Sequence, residues 1–351
     1  MGRLAIVGFS GHNVPAGLRE LSAEFDLGGV IYFARNIVEP RQVRELSREV
    51  ASLATDWPIW ISVDQEGGRV ARLTAPFTEW PPAATIGRSG DAALAARFAS
   101  ALGAELRAVG ITLDFAPVLD IHTNAANAVI GDRALSTGAE DVARLGSAVI
   151  QALQAAGVAA CGKHFPGHGD TTVDSHEGLP VVEHGRRRLE AVEVLPFRQA
   201  VADRVATIMT AHVLVPDVDE DHIATFSRRI VTDWLKGTLQ FDGVVVSDDL
   251  GMKAVSATTP LPDASVRAIA AGCDVLLLCN STLDEQVAAI EALIHADEAG
   301  DLAPARFDDA WLRQHTVKAR MAAAASAAPP GLDIIGCVAH QAVAAEMAQW
   351  L

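Results

Sequence analysis

The chain has few basic residues for its size: 28 Lys and Arg against 44 Asp and Glu in 351 residues, a formal net charge of −16 and a pI near 5.0. That balance argues against holding nucleic acid through its phosphates and against docking on an anionic membrane surface. Long hydrophobic runs are also missing. No stretch approaches the roughly 20 apolar residues of a spanning helix. The N-terminal run Leu4–Val7 is too short for a signal-peptide core, and no cleavage pattern follows it. Cysteine is scarce: Cys161, Cys273, Cys279 and Cys337 form no CxxC pair, and three sit in or beside apolar runs. They read as reduced, mostly buried thiols, which places the protein in a reducing cytoplasm. There is no GxGxxG or P-loop fingerprint, which removes support for a nucleotide-binding sheet. No internal repeat and no shift in composition demands a second domain. What is present is a globular composition, half hydrophobic and 21% charged.

Short apolar runs alternate with longer helical patterns. The strand candidates are Leu4–Phe9, Gly29–Phe33, Ile59–Val63, Ile111–Ala116, Val158–Gly162, Thr207–Ala211, Val244–Val246 and Asp274–Leu278. Between them lie helix candidates at Pro15–Phe25, Pro40–Ala54, Asp91–Val109, Glu140–Ala156, Arg187–Asp203, Ser227–Leu239, Asp263–Ala271 and Thr282–Ala296. Val43, Leu46, Val50 and Leu53 repeat with the helical period, Pro40 suits a first turn, and Asp91 and Asp263 are candidate N-caps. The strands are continuous apolar runs rather than alternations, the mark of a parallel sheet covered on both sides. Eight such units predict an α/β fold, a single (β/α)8 TIM-like barrel spanning residues 1–325. Residues 326–351 are then a linker and a C-terminal helix packed on the barrel, with Ala322–Pro330 as the Ala/Pro-rich connection.

Polar residues collect at the downstream ends of these runs: Asp64, Asp120, Lys163 with His164, His212, Ser247–Asp248–Asp249 and Asn280. In a barrel these ends surround one opening. A charge ending a buried strand costs several kcal/mol unless it is partnered or wetted, and several at one mouth point to a site for a polar ligand. The stretch from Asp64 through Gly67–Gly68 to Arg72 suggests a tight loop that delivers a carboxylate and a guanidinium to one ligand. Arg133 sits in a loop after the fourth strand, and the arginine fork suits bidentate recognition. Lys163 is one of four lysines in an arginine-preferring chain, so a compact ammonium is expected there.

The densest chemistry runs from Lys163 to Glu177. Its histidines and carboxylates could ligate a metal, yet neither HExxH nor H-x-H occurs. They could brace a loop, or they could serve as acid and base. Asp174 and His176 are two apart on a glycine-rich loop, close enough for a carboxylate–imidazole hydrogen bond that raises the ring's affinity for a proton. Such a histidine can act as acid and then as base near neutral pH. At Asp248–Asp249, adjacent residues of an extended segment point to opposite sides. One carboxylate is expected to enter the mouth and the other to brace the loop. An ionised carboxylate there can attack carbon.

DQEGGRVAR, GKHFPGHGDTTVDSH and VVVSDDLGM together resemble the β-N-acetylglucosaminidase branch of glycoside hydrolase family 3, the NagZ-type enzymes of cell-wall recycling. The resemblance runs from about residue 4 to residue 325, and KHFPGHG followed by DSH is specific to this branch. It implies that Asp248 is the nucleophile, His176 the general acid/base and Asp174 its partner. Asp64, Arg72, Arg133, Lys163 and His164 would bind the sugar. It implies no cofactor, no metal, no nucleic acid and no membrane. The expected protein is a cytoplasmic monomer acting on small N-acetylglucosaminyl-anhydromuramyl peptides. The chemistry would be a retaining double displacement, for which the usual carboxylate spacing of about 5–5.5 Å transfers imperfectly because a histidine replaces one partner. Gly167, Gly169 and Gly178 suggest that the histidine loop moves. Competing readings are substrate-assisted chemistry, a β-glucosidase or phosphorylase of the same family, a metal-dependent hydrolase using the histidine loop, and a sugar-binding barrel without catalysis.

Overall fold

The computed structural model describes residues 1–351 except Asp56, Thr172, His176, Ser326 and Ala327. Eight parallel strands close into a barrel: β1 (Ala5–Gly8), β2 (Gly29–Tyr32), β3 (Trp60–Val63), β4 (Leu113–Asp114), β5 (Ala159–Phe165), β6 (Thr207–Thr210), β9 (Val244–Asp249) and β10 (Val275–Leu278). β7 (Leu214–Val215) and β8 (Asp219–Ile223) form a separate antiparallel pair between β6 and β9. The barrel closes where β1 pairs with both β2 and β10. This is the (β/α)8 architecture that the alternating runs predict.

The apolar runs are continuous because each strand buries both faces. Ile6, Ile31, Trp60, Leu113, Cys161, Met209, Val244, Val246 and Leu277 meet in one buried cluster, while their neighbours Ala5, Val7, Val30, Tyr32, Ile208, Val245 and Leu278 join a second with the surrounding helices. Alternation along a strand sends these two sets inward and outward. Val317 and Met321 of the helix Pro304–Ala324 enter the inner cluster. The helix Val338–Ala348 packs against Ala92–Ala108. Among the described residues, no helix is long and apolar enough to cross a membrane.

Several local expectations need correction. The fourth strand has two residues rather than six; beyond it only scattered pairing persists, with Phe115 N donating to Val63 O at 2.9 Å, Cys161 N donating to Ala116 O at 2.8 Å and an isolated bridge from Val118 to Lys163, and Asp120 lies in the loop that follows. The segment expected as one helix over Arg187–Asp203 is two, Arg186–Ala191 and Leu195–Ala202. Pro196 falls in the first turn of the second, where its missing N–H breaks no helical bond, whereas inside one continuous helix it would leave Val192 O without its donor. Arg229–Thr238 is a π-helix. Asp263 lies in the first turn of Leu261–Ala271 and does not cap it, whereas Asp91 Oδ1 accepts from Ala93 N at 2.7 Å, as a cap should. The tail helix runs to Ala324, into the stretch expected as linker.

Candidate active site

Strand alternation builds the floor of a cavity of about 350 Å³ at the downstream end of the barrel. That is the lower end of the roughly 300–1,000 Å³ typical of ligand pockets, enough for one sugar residue. Ile31, Met209 and Leu277 supply apolar surface, and the polar lining includes Asp64, Glu66, Arg72, Arg133, Lys163, His164 and Asp248. Six of the eight residues expected from sequence thus share one cavity. Of the other two, Asp174 is partly exposed, with its backbone carbonyl accepting from Glu177 N and Gly178 N, each at 2.9 Å. His176 lies outside the described residues. Ser175, between them, is buried and lines the cavity.

Asp248 lines the cavity two residues beyond Val246, which points inward with Val244, although the pairing of β9 with β10 shifts register between Val246 and Asp249. Asp249 takes the other direction: its Oδ1 accepts from Gly251 N and Cys279 N, each at 3.1 Å, and Asn280 Nδ2 is 3.4 Å from its Oδ2. Its carboxylate edges the cavity, but its oxygens brace the loop, as expected. The two carboxyls are pushed apart. Burial drives Asp248 upward, and the neighbouring His212 and His164, the Asp249 N–H and Lys163 outweigh it, leaving it below its ordinary value. Burial and the adjacent Asp248 charge raise Asp249. The cavity-facing carboxylate is therefore the more acidic of the two and is ionised at neutral pH.

Lys163 and His164 are consecutive, yet both line the cavity. The register of β5 against β6 shifts between Lys163 and Phe165, which breaks strict alternation there. Lys163 Nζ is 2.6 Å from Glu66 Oε1 and 3.1 Å from Asp64 Oδ1. Arg133 holds Glu66 bidentately, with Nε and Nη2 each donating at 2.8 Å. Arg72 Nη2 lies 3.5 Å from Asp64 Oδ2. Burial pushes Glu66 up, but Lys163 and Arg133 bring it well below the usual carboxylate range. The loop carrying these acids turns at Gly67 and Gly68, both with positive φ, where added Cβ atoms would meet Pro81 O at 2.8 Å and Pro82 Cβ at 2.7 Å. Gln65 fixes the return: its Oε1 accepts from Arg72 N at 2.7 Å and from Leu73 N at 3.0 Å.

The histidines of the dense stretch take separate partners. His164 Nδ1 is 2.6 Å from Asp120 Oδ2. Despite its burial, Asp120 is held below its ordinary value by His164 and His168, so it accepts and the ring nitrogen donates. His168 Nε2 lies 3.2 Å from Ser175 Oγ, and burial lowers the ring's proton affinity. His184 Nε2 meets Asp170 Oδ2 at 2.5 Å. Among the described residues no group of three His, Cys, Asp or Glu side chains is placed to hold a metal. Sequence reasoning assigned no specific role to Glu66, His168 or Ser175; it placed His212 at the mouth, and there its Nε2 lies 3.0 Å from Asp249 O. For Glu66 the available signal was its place in the same tight loop as Asp64.

Comparison with known proteins follows the same lines. Residues 1–317 match the glycosyl hydrolase family 3 N-terminal domain. A β-hexosaminidase of Alkalilimnicola ehrlichii is 40% identical over 281 residues, 78% of this chain and 80% of that protein. A β-hexosaminidase of Pseudomonas aeruginosa is 40% identical over 271 residues, 77% of this chain and 80% of that one. A family 3 β-N-acetylglucosaminidase from Paenibacillus sp. superposes with a TM-score of 0.95 at 42% identity, covering 99% of this chain and 67% of that one. NagZ from Neisseria gonorrhoeae, solved with N-trifluoroacetyl-D-glucosamine, superposes at 0.79 with 29% identity, covering 99% and 97%.

Proposed function

The chain belongs to glycoside hydrolase family 3 and is a β-N-acetylhexosaminidase of the NagZ type, and from that premise we propose that it removes non-reducing β-linked GlcNAc from peptidoglycan fragments through a covalent glycosyl-Asp248. The observation that carries this reading is the position of Asp248: an ionised carboxylate in a sugar-sized cavity, beside the charged cluster of Asp64, Glu66, Lys163 and Arg133.

In the first step Asp248 Oδ attacks the anomeric carbon while the bond to the leaving oxygen breaks and His176 gives that oxygen a proton. In the second, His176 takes a proton from water, which attacks the same carbon and releases Asp248. Asp174 orients the ring and stabilises its charged form. Ser175, flanked by the two, lines the cavity with Asp248, which supports that assignment. Asp64, Arg72, Arg133, Lys163 and His164 hold the sugar hydroxyls. In a substrate-assisted route the acetamido group would attack and a carboxylate would orient it. The oxygens of Asp249 are already engaged by Gly251, Cys279 and Asn280, which favours direct attack by Asp248. GlcNAc-anhydromuramyl peptides are the substrate class we assign. The four free cysteines support a reducing, cytoplasmic setting.

The test is slow turnover of a 5-fluoro-N-acetylglucosaminyl fluoride followed by peptide mass spectrometry. A glycosyl adduct on the peptide containing Asp248 is expected. Full activity through the incubation with no adduct would overturn the covalent route.

A further inference from the structure

We propose that Lys253 receives a carboxylate carried by the aglycone, making the enzyme selective for β-GlcNAc joined to acidic leaving groups. The inference rests on the glycosidase reading above and adds the chemical class of the group beyond the scissile bond.

Four cationic side chains of Lys or Arg line the cavity: Arg72, Arg133, Lys163 and Lys253. The first three have carboxylate partners within it, sharing Asp64 and Glu66. Arg72 faces Asp64, Arg133 grips Glu66, and Lys163 lies between Asp64 and Glu66. Lys253 differs. It is exposed at the rim, and its ammonium makes no ion pair or hydrogen bond among the described residues. Three cations already paired with carboxylates suit a neutral sugar rich in hydroxyls, and Arg72 Nε, buried and without a partner among the described residues, is left to donate to one. The fourth retains its full charge for something else.

Its place in the fold says which part of the substrate it meets. Lys253 immediately precedes Ala254, whose N–H donates to Ser175 O at 3.1 Å. Ser175 separates Asp174 from His176, the residues assigned to proton transfer. The leaving group departs on the side of the acid, so Lys253 borders the aglycone and not the GlcNAc ring. A lysine also fits the task. Its ammonium is a point charge on a flexible stem that follows a carboxylate through several positions, where an arginine fork would demand one geometry.

The charge of the whole chain gives the contact its consequence. At −16 the protein repels an acidic ligand at a distance. Within a Debye length of about 8 Å at physiological salt, a single unpaired cation reverses that locally.

The experiment uses two aryl β-GlcNAc substrates that differ only in a ring carboxylate or its carboxamide. The reading is the ratio of their kcat/KM values in wild type, Lys253→Met and Lys253→Arg. We expect the carboxylate:carboxamide ratio to fall about fivefold in the methionine variant, the scale of one exposed ion pair, and to return in the arginine variant. The fall should shrink in 0.5 M NaCl. An unchanged ratio, or a parallel loss on both substrates, would overturn the role of Lys253. Absence of turnover of either glycoside by the wild type would instead overturn the glycosidase reading beneath it.

Discussion

Lys163 Nζ sits 2.6 Å from Glu66 Oε1, with 3% and 4% of the two side chains exposed. The pair joins the end of β5 to the tight loop after β3, and Arg133 closes it from a third loop. The position of the ammonium in the cavity thus depends on the carboxylate of Glu66.

Glu66→Gln should therefore cost about 3 kcal/mol or more, the scale for stranding a buried charge, read as a lower urea midpoint at pH 7. Because Glu66 has its folded pKa below the ordinary value of about 4.3, its contribution is fully present above that value and is lost as pH falls through the folded one. The stability gap between wild type and variant should stay constant from pH 7 to pH 5 and narrow below about pH 4. A gap that already narrows above pH 5 would contradict the lowered value.

Asp248 and Asp249 are neighbours with different tasks, and their amides should separate them. Asp248→Asn removes the carboxylate proposed to attack and should lower kcat by about 10³-fold or more with KM little changed. Asp249→Asn disturbs the acceptors for Gly251 N and Cys279 N and should lower kcat about tenfold through misplacement. Initial rates on an aryl β-GlcNAc decide this. The reverse ranking would favour the acetamido route.

Ser175→Ala deletes the hydroxyl 3.2 Å from His168 Nε2 but leaves the backbone bond from Ala254. One net hydrogen bond is worth about 0.5–1.5 kcal/mol, so a fall in kcat of about fivefold is expected. If Ser175 positions the proton-transfer loop, the loss appears in kcat and in the basic limb of the pH–rate profile, with KM steady. A lower thermal midpoint with unchanged kinetics would show a purely structural contact.

How far the sequence speaks depends on the range of the interaction that decides each feature. β9 is legible because Val244, Val245 and Val246 bury both faces and two aspartates follow at once. Alternation predicts that the two aspartates take different directions, and the family resemblance, not the strand, singles out Asp248. β4 is misjudged because an apolar run does not show where regular pairing with both neighbouring strands ends. The π-helix at Arg229–Thr238 hides because ten residues cannot separate its period from 3.6. The strand Asp219–Ile223 is too polar to signal itself, its middle residues being exposed. Glu66 is overlooked for a different reason. Its partner cations come from β5 and from the loop at Arg133, and only the closed barrel brings them together.

The C-terminal helix offers a stability prediction remote from the site. Glu105, buried in the helix Ala92–Ala108, accepts from Thr78 N at 3.0 Å, Thr78 Oγ1 at 2.6 Å, Gly336 N at 3.0 Å and His340 Nδ1 at 2.8 Å. One carboxylate thus fastens the loop at residue 78 and the segment leading into Val338–Ala348 to the barrel's outer helices. Glu105→Ala leaves these buried donors without an acceptor, each unmet group costing about 1–3 kcal/mol before relaxation. A net loss of about 3 kcal/mol is expected in urea unfolding. Glu105→Gln retains one accepting oxygen and should lose less than half as much. None of these contacts reaches the cavity, so kcat/KM of the folded glutamine variant should match wild type within about twofold. A tenfold loss of kcat/KM in that variant, with the fold intact, would mean that the docked tail shapes the sugar site itself.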